Sequence, residues 1–307
     1  MDIVFMGTPL FATKSLEALI ENFNVKAVFT QPDRASGRGN KIKMSEVKIL
    51  ALKNNIKVFQ PEKLNKDIDS IEIIKKINPD FIVVVAYGQI LSKKILNIPK
   101  HGCINVHASL LPELRGAAPI NFAILNGDKV SGVTTIMMDE GIDTGDILIK
   151  KEINIEGLNA GELHDKLMVL GANVLIETIN KIKDHKIKPI PQNHEEASYC
   201  SSLISKDLAK IDWNEDGEKI LAKVNAFNPY PGAFTIYDGS ILKIFKAGFE
   251  KGDFKPGEIV EIGKDFVKVS CRNGAIKICE IQMQNKKRME LKEFLKGNKL
   301  ELNKSLL

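Results

Sequence analysis

Phe81-Ile82-Val83-Val84-Val85-Ala86-Tyr87 is the run whose reading decides the fold, because its first five residues are all apolar and leave no polar face for water. Successive strand residues point to opposite faces, so an unbroken apolar strand must be covered on both sides. That places it in the middle of a parallel sheet with helices above and below. Working outward, Ile3 to Met6, Lys26 to Phe29 and Ile104 to Ala108 are further short, largely β-branched runs, with helix-length periodic segments between several of them. The alternation predicts an α/β fold, a Rossmann-like and mainly parallel sheet flanked by helices. Val133 to Met138 and Asp146 to Ile155 read as two more strands. An amphipathic helix from about Asn159 to Lys183 follows, with Leu163, Leu167, Leu170, Val174 and Leu175 inward.

The pattern breaks at Ile187 into Lys188-Pro189-Ile190-Pro191-Gln192-Asn193 and no regular period returns until about Ser205. We therefore expect a first domain over 1–188, a linker over 189–204 and a second domain over 205–307. In the second, a helix around Gly217 to Val224 precedes short strands separated by turn residues: Ala233 to Tyr237, Ile241 to Phe245, Glu258 to Ile262, Phe266 to Cys271 and Ala275 to Ile281. That spacing predicts a small C-terminal β-barrel of the OB-like kind.

Composition narrows the class. At 307 residues, with 44% hydrophobic and 27% charged residues, the chain can bury two cores, and no window approaches the roughly 18 unbroken apolar residues of a membrane span. The start, Met1-Asp2-Ile3-Val4, carries an acid where an export signal would be basic, so a cytoplasmic protein is expected. Cys103, Cys200, Cys271 and Cys279 form no CxxC pair, which points to reduced thiols and to neither a zinc site nor a disulfide framework. Of 44 basic and 39 acidic residues, 19 and 15 lie from Lys206 onward, so most of the net charge of +5 is C-terminal. Such a bias is compatible with an anionic partner and equally with a solvated surface.

Three segments can carry chemistry. Asn105 and His107, two apart in Gly102-Cys103-Ile104-Asn105-Val106-His107-Ala108-Ser109, project from one face of a strand just where that strand should end. Ligands of open α/β sheets bind beyond such carboxyl ends. Next comes Ser109-Leu110-Leu111-Pro112, then Arg115-Gly116-Ala117-Ala118-Pro119-Ile120, an apolar loop that either packs on its own core or walls a flat heteroaromatic ligand. Met138-Asp139-Glu140-Gly141-Ile142-Asp143-Thr144-Gly145-Asp146 gathers four acids at another strand end, where acids ordinarily shape turns. Gly7 lacks further glycines at dinucleotide-fingerprint spacing.

Asn-x-His-x-Ser-Leu-Leu-Pro at 105–112 together with Asp-x-Gly-x-Asp-Thr-Gly at 139–145 resembles the folate-dependent formyltransferase family. Gly7-Thr8-Pro9-Leu10-Phe11, the loop from Thr30 through Gly39, Asn228-Pro229-Tyr230-Pro231-Gly232-Ala233 and Gln282 to Met289 are similar to the branch of that family acting on methionyl initiator tRNA. Ala35, Glu46 and Asn225 depart from its usual proline, proline and arginine.

The resemblance implies that Asn105, His107 and Asp143 are catalytic, with 10-formyltetrahydrofolate as cosubstrate and no metal. It implies that Ser109, Leu110, Leu111 and Pro112 contact folate. Arg38, Lys41 and Lys43 in the basic loop from Asp33 to Lys48 would meet the tRNA as a mobile arm, with Lys286, Lys287 and Arg288 on the C-terminal domain. Asn105 would donate to an oxyanion. His107 would stabilise the same charge or carry a proton, and Asp143 would support the imidazole or accept the amine proton through water. Two alternatives stay open: a formyltransferase acting on a small amine or nucleotide sugar, and a non-catalytic RNA-binding protein.

Overall fold

The computed structural model describes residues 1–36, 41–200 and 204–306, without the side chains of 35, 36 and 41. The chain divides into two compact units, one comprising Met1–Pro119, Val130–Asn154 and His164–Cys200, the other Ile120–Lys129, Ile155–Leu163 and Ser201–Leu307. Each unit thus draws on separated stretches of sequence, unlike the contiguous domains expected from periodicity.

In chain order the first half contains β1 (Asp2–Gly7), α1 (Thr13–Asn22), β2 (Asn24–Phe29), the ribbon β3 (Arg34–Ser36) and β4 (Lys41–Lys43), α2 (Glu46–Lys53) and β5 (Lys57–Phe59). It continues with α3 (Ile68–Ile77), β6 (Phe81–Val85), α4 (Lys93–Leu96), β7 (Cys103–His107), α5 (Pro119–Leu125), β8 (Val130–Met137), β9 (Asp146–Asn154) and α6 (Ala160–Lys183). Among the described residues the main sheet has the order β5-β2-β1-β6-β7-β8-β9. Pairing is parallel from β5 to β7 and antiparallel from β7 to β9. β6 lies centrally, and every one of its residues is buried, as the apolar run requires.

Local chemistry sets the helix starts. Ser45 Oγ accepts from Lys48 N at the head of α2, and Asp67 Oδ1 accepts from Ser70 N at the head of α3. At α6, Asn159 Oδ1 accepts from Glu162 N while Glu162 Oε2 accepts from Asn159 N, a reciprocal cap. Asn78 closes α3 with a left-handed φ of 46°.

Two expectations change here. The basic loop from Asp33 to Lys48 is in its described part a strand ribbon and the first turn of a helix. Lys48 Nζ pairs with Asp33 Oδ2 at 2.5 Å and with Gln60 Oε1 at 2.7 Å, so its charge is spent locally. Those hydrogen bonds, Lys48 first and Gln60 second, hold the Asp33 carboxyl below the usual carboxylate range. The expected linker over 189–204 is tied to the first unit as far as Cys200: Ile190 pairs with Ile147, Arg115 N donates to Ser198 O, and Cys200 N donates to Arg115 O. Weak periodicity there reflects an irregular path whose backbone bonds run to Ile147 and Arg115.

In the second unit, α7 (Gly217–Ala226) precedes β10 (Ala233–Tyr237), β11 (Ser240–Lys251), β12 (Ile259–Ile262), β13 (Val267–Cys271), β14 (Gly274–Met283), β15 (Met289–Glu290) and α8 (Leu291–Leu295). These strands form an antiparallel sheet in the order β10-β11-β14-β13-β12, with β15 on β14. Asp238 and Gly239, at φ 49° and 69°, supply the two positive-φ residues that a tight β10–β11 hairpin needs. Register shifts around Lys246 allow the long β11 to bend. Trp213, Ile220, Val224, Ile244, Ile276 and Ile278 lie in its core, and Trp213 Nε1 donates to Thr235 Oγ1 at 3.0 Å. No helix among the described residues is long and apolar enough to cross a membrane.

Candidate active site

Strand β7 carries Asn105 and His107 on one face at its carboxyl end, as their spacing of two demands. Asn105 lies between Val84 of β6 and Ile136 of β8 in the register, which anchors it in the middle of the sheet. His107 is buried, and its Nε2 lies 3.0 Å from Leu114 O. A carbonyl only accepts, so Nε2 carries the proton in this bond. In a neutral ring Nδ1 is therefore the bare nitrogen, and it lies 3.5 Å from Asp143 Oδ2.

Asp143 reaches this position from the loop between β8 and β9. Its backbone is left-handed at φ 54°, an uncommon conformation for a residue with a Cβ. Oδ1 accepts from Asn105 Nδ2 at 3.1 Å and Oδ2 accepts from Gly116 N at 2.9 Å. One carboxylate thus touches both strand residues and a backbone amide. The other acids of the loop behave differently. Asp139 Oδ1 accepts from Gly141 N and Thr144 Oγ1, shaping the turn, while Glu140 and Asp146 are exposed. Glycine is required at 145, where a Cβ would stand 1.9 Å from Met137 O.

A third segment, Leu114-Arg115-Gly116, closes the arrangement. Leu114 and Gly116 both have positive φ, 56° and 104°, which turns the Leu114 carbonyl to His107 and the Gly116 amide to Asp143. Between them Arg115 is 1% exposed, and no ion-pair partner for it is found among the described residues. Its guanidinium donates from Nε and Nη2 to Gln192 Oε1 at 3.1 and 2.7 Å and from Nη1 to Tyr199 OH at 2.9 Å, while Nη2 lies 3.3 Å from His194 Nδ1. In the sequence Arg115 falls in an apolar loop and Gln192 in the expected linker. The available signal was a lone arginine inside an otherwise apolar stretch.

The remaining expected residues fall unevenly. Ser109 is 1% exposed, and its hydroxyl donates to Glu113 O. Leu111 is fully buried with Ile136 and Ile147, and its amide donates to Thr134 Oγ1. Both are occupied by the fold, so only Leu110 and Pro112 of that run keep partial exposure. Arg38 and the side chain of Lys41 lie outside the described residues. Lys43 Nζ pairs with Glu46 at 2.7 Å on an exposed surface. Lys286 and Lys287 are exposed between β14 and β15. Arg288 is instead held by Glu280 through two bonds of 2.7 Å, by Asn228 Oδ1 at 3.1 Å, and over the ring of Phe245 at 4.3 Å. It is a strut of the second unit, not a free cation.

The arrangement can hold an imidazole in a set tautomer, buffer its charge with a carboxylate, and present a side-chain amide beside it. Residues 1–179 match the family described as formyl transferase, and residues 203–299 match the formyl transferase C-terminal domain. The chain is 53% identical over 304 residues to the methionyl-tRNA formyltransferase of Clostridium tetani, covering 98% of each chain. It is 50% identical over 305 residues to that of Clostridioides difficile, again covering 98% of each. Among solved structures, the sugar 3N-formyltransferase WlaRD, determined in the presence of dTDP and 5-N-formyl-THF, superposes with a TM-score of 0.66 at 24% identity, covering 94% of this chain and 99% of that one. At that identity it speaks for the fold alone.

Proposed function

The chain belongs to the formyl transferase family, and from that premise we propose that it transfers the formyl group of 10-formyltetrahydrofolate to the α-amine of methionyl initiator tRNA, in the cytoplasm. The observation that carries the chemistry is the single carboxylate of Asp143 bonded to Asn105 and facing His107. Full-length similarity to curated enzymes acting on methionyl-tRNA supports the acceptor.

In this reading the neutral amine attacks the formyl carbon, the carbonyl oxygen gains negative charge, and the bond to folate N10 breaks as that nitrogen takes a proton. Asn105 donates an amide N–H to the oxyanion, a contact whose loss costs roughly 100- to 1000-fold in rate. His107 keeps its Nε2 proton on Leu114 O, so Nδ1 is the atom that takes the proton from the attacking amine and returns it to the leaving nitrogen. Asp143 stabilises the imidazolium so formed, as an orienting carboxylate does for a general base. We assign this chemistry to 1–188 and the holding of the tRNA body to 205–307, with Arg38, Lys41 and Lys43 nearest the acceptor end and Lys286 and Lys287 on the C-terminal surface. Leu110 and Pro112 remain the folate contacts in that assignment.

The test is incubation with 10-formyltetrahydrofolate and either methionyl initiator or methionyl elongator tRNA. Tetrahydrofolate release with formylation of the initiator alone is the expected result. Formylation of small amines or nucleotide sugars in preference to the charged tRNA would overturn it, and so would tRNA binding without turnover.

A further inference from the structure

Gln192 lies in the stretch that connects the two halves of the sequence, yet it is buried and its side-chain amide is saturated. Nε2 donates to Asp143 O at 2.8 Å and to Gly145 O at 2.7 Å, and Oε1 accepts from Arg115 Nε and Nη2. A primary amide has two N–H donors and two acceptor lone pairs, and here each has a partner. The amide orientation follows from this, since a flipped Gln192 would aim its oxygen at two carbonyls and its N–H groups at a guanidinium.

We propose that Gln192 is a positioning residue for Asp143, an inference that rests on the catalytic reading above. The carboxylate of Asp143 reaches Asn105, Gly116 and Nδ1 of His107 from a backbone at φ 54°, a conformation the surrounding structure has to impose. The Gln192 amide grips the loop at this residue and two residues after it, at the carbonyls of 143 and 145. Arg115 grips Gln192 in turn, and Arg115 sits between Leu114 and Gly116, whose backbone groups bond His107 and Asp143. The segment from 190 to 200 therefore acts as a strap that sets the distance between carboxylate and imidazole. Ser198 reinforces it, its carbonyl accepting from Arg115 N and its hydroxyl from Leu114 N at 2.9 Å.

The role is separable from mere anchoring of Arg115. Gln192→Glu keeps two oxygens for the guanidinium but has no N–H for the carbonyls of 143 and 145. Gln192→Met removes both sets of bonds at similar volume. We expect both variants to lower kcat about 10- to 100-fold, as displacement of a catalytic group by a fraction of an ångström to one ångström does, with KM for folate and tRNA within about threefold of the parent. Both should also show faster amide exchange across 139–145. Ile190→Ala, which trims an exposed side chain in the same segment, should change neither readout. A near-parental kcat in Gln192→Glu, or an equal loss in Ile190→Ala, would overturn the proposal. If the parent protein itself releases no tetrahydrofolate, the catalytic reading fails, and unchanged exchange across 139–145 in both Gln192 variants then removes the positioning role independently.

Discussion

Nδ1 of His107 lies 3.5 Å from Oδ2 of Asp143, while the opposite ring nitrogen is committed to the Leu114 carbonyl. The separation is longer than a strong charge-assisted hydrogen bond, and Oδ2 already accepts from Gly116 N. It suits a pair that tightens when the imidazole becomes charged. In the proposed mechanism the Asp143 carboxylate supports the imidazolium, a support that an amide at 143 would not give.

Asp143→Asn should therefore fold normally and lose about 100- to 10,000-fold in single-turnover formylation, with an altered pH–rate profile. Measuring that profile between pH 5 and 9 checks it. An unchanged profile would reduce Asp143 to a turn residue like Asp139.

Asn105→Ala removes the amide that bonds Asp143 and that the proposed mechanism assigns to the oxyanion. We expect a fall of roughly 100- to 1000-fold in kcat with folate affinity, measured by fluorescence titration, within a few-fold of the parent. Loss of folate binding with kcat retained at saturation would move Asn105 from chemistry to binding.

Gly145→Ala tests the shape of the acid loop. The added methyl would stand 1.9 Å from Met137 O, a backbone atom that cannot yield without displacing the end of β8. Turnover should drop at least tenfold, and the melting temperature should fall by several degrees. Glu140→Ala, on the exposed side of the same loop, should leave both unchanged.

The C-terminal cations should separate into two kinds. Replacing Lys286 and Lys287 by glutamine should weaken tRNA binding and reduce the slope of log affinity against log salt by about one to two. Arg288→Ala should act on stability instead, costing about 1 kcal/mol at pH 7 for a partly exposed bidentate pair. Its hydrogen bonds hold the Glu280 carboxyl below the usual range. A lowered folded-state value contributes stability that is present above the unfolded value and is lost as pH falls through the folded one. The gap between parent and Arg288→Ala should accordingly narrow below about pH 4. It should not close, because the stacking over Phe245 does not titrate. Thermal denaturation at pH 7 and pH 3.5 measures both parts.

Thiol chemistry gives an independent check on burial. Cys103 sits in β7 with its thiol pushed up to about 12 by burial, and burial also raises Cys200 and Cys271. Only the thiolate reacts with iodoacetamide. Native protein at pH 8 should be alkylated first at Cys279, the one cysteine that is not buried, and peptide mass spectrometry would locate the label.

What sequence alone determined was whatever depends on short-range periodicity. The apolar run from Phe81 to Val85 specified a central strand, the spacing of Asn105 and His107 placed them on one face, and the short strands from Ala233 to Ile281 announced a small all-β domain. Tertiary structure decided what depends on separated residues meeting. By composition and periodicity Asp143 and Asp139 are alike as acids in a glycine-rich loop; the family resemblance singles out Asp143, and the fold turns it to His107 while Asp139 holds its own turn. Arg288 and Lys286 are alike as cations until Glu280 and Phe245 claim the first. Arg115 and Gln192 lie 77 residues apart, and neither follows a helix or strand period, so no local pattern joins them. They are paired because a buried guanidinium and a strained loop both need partners that water cannot supply.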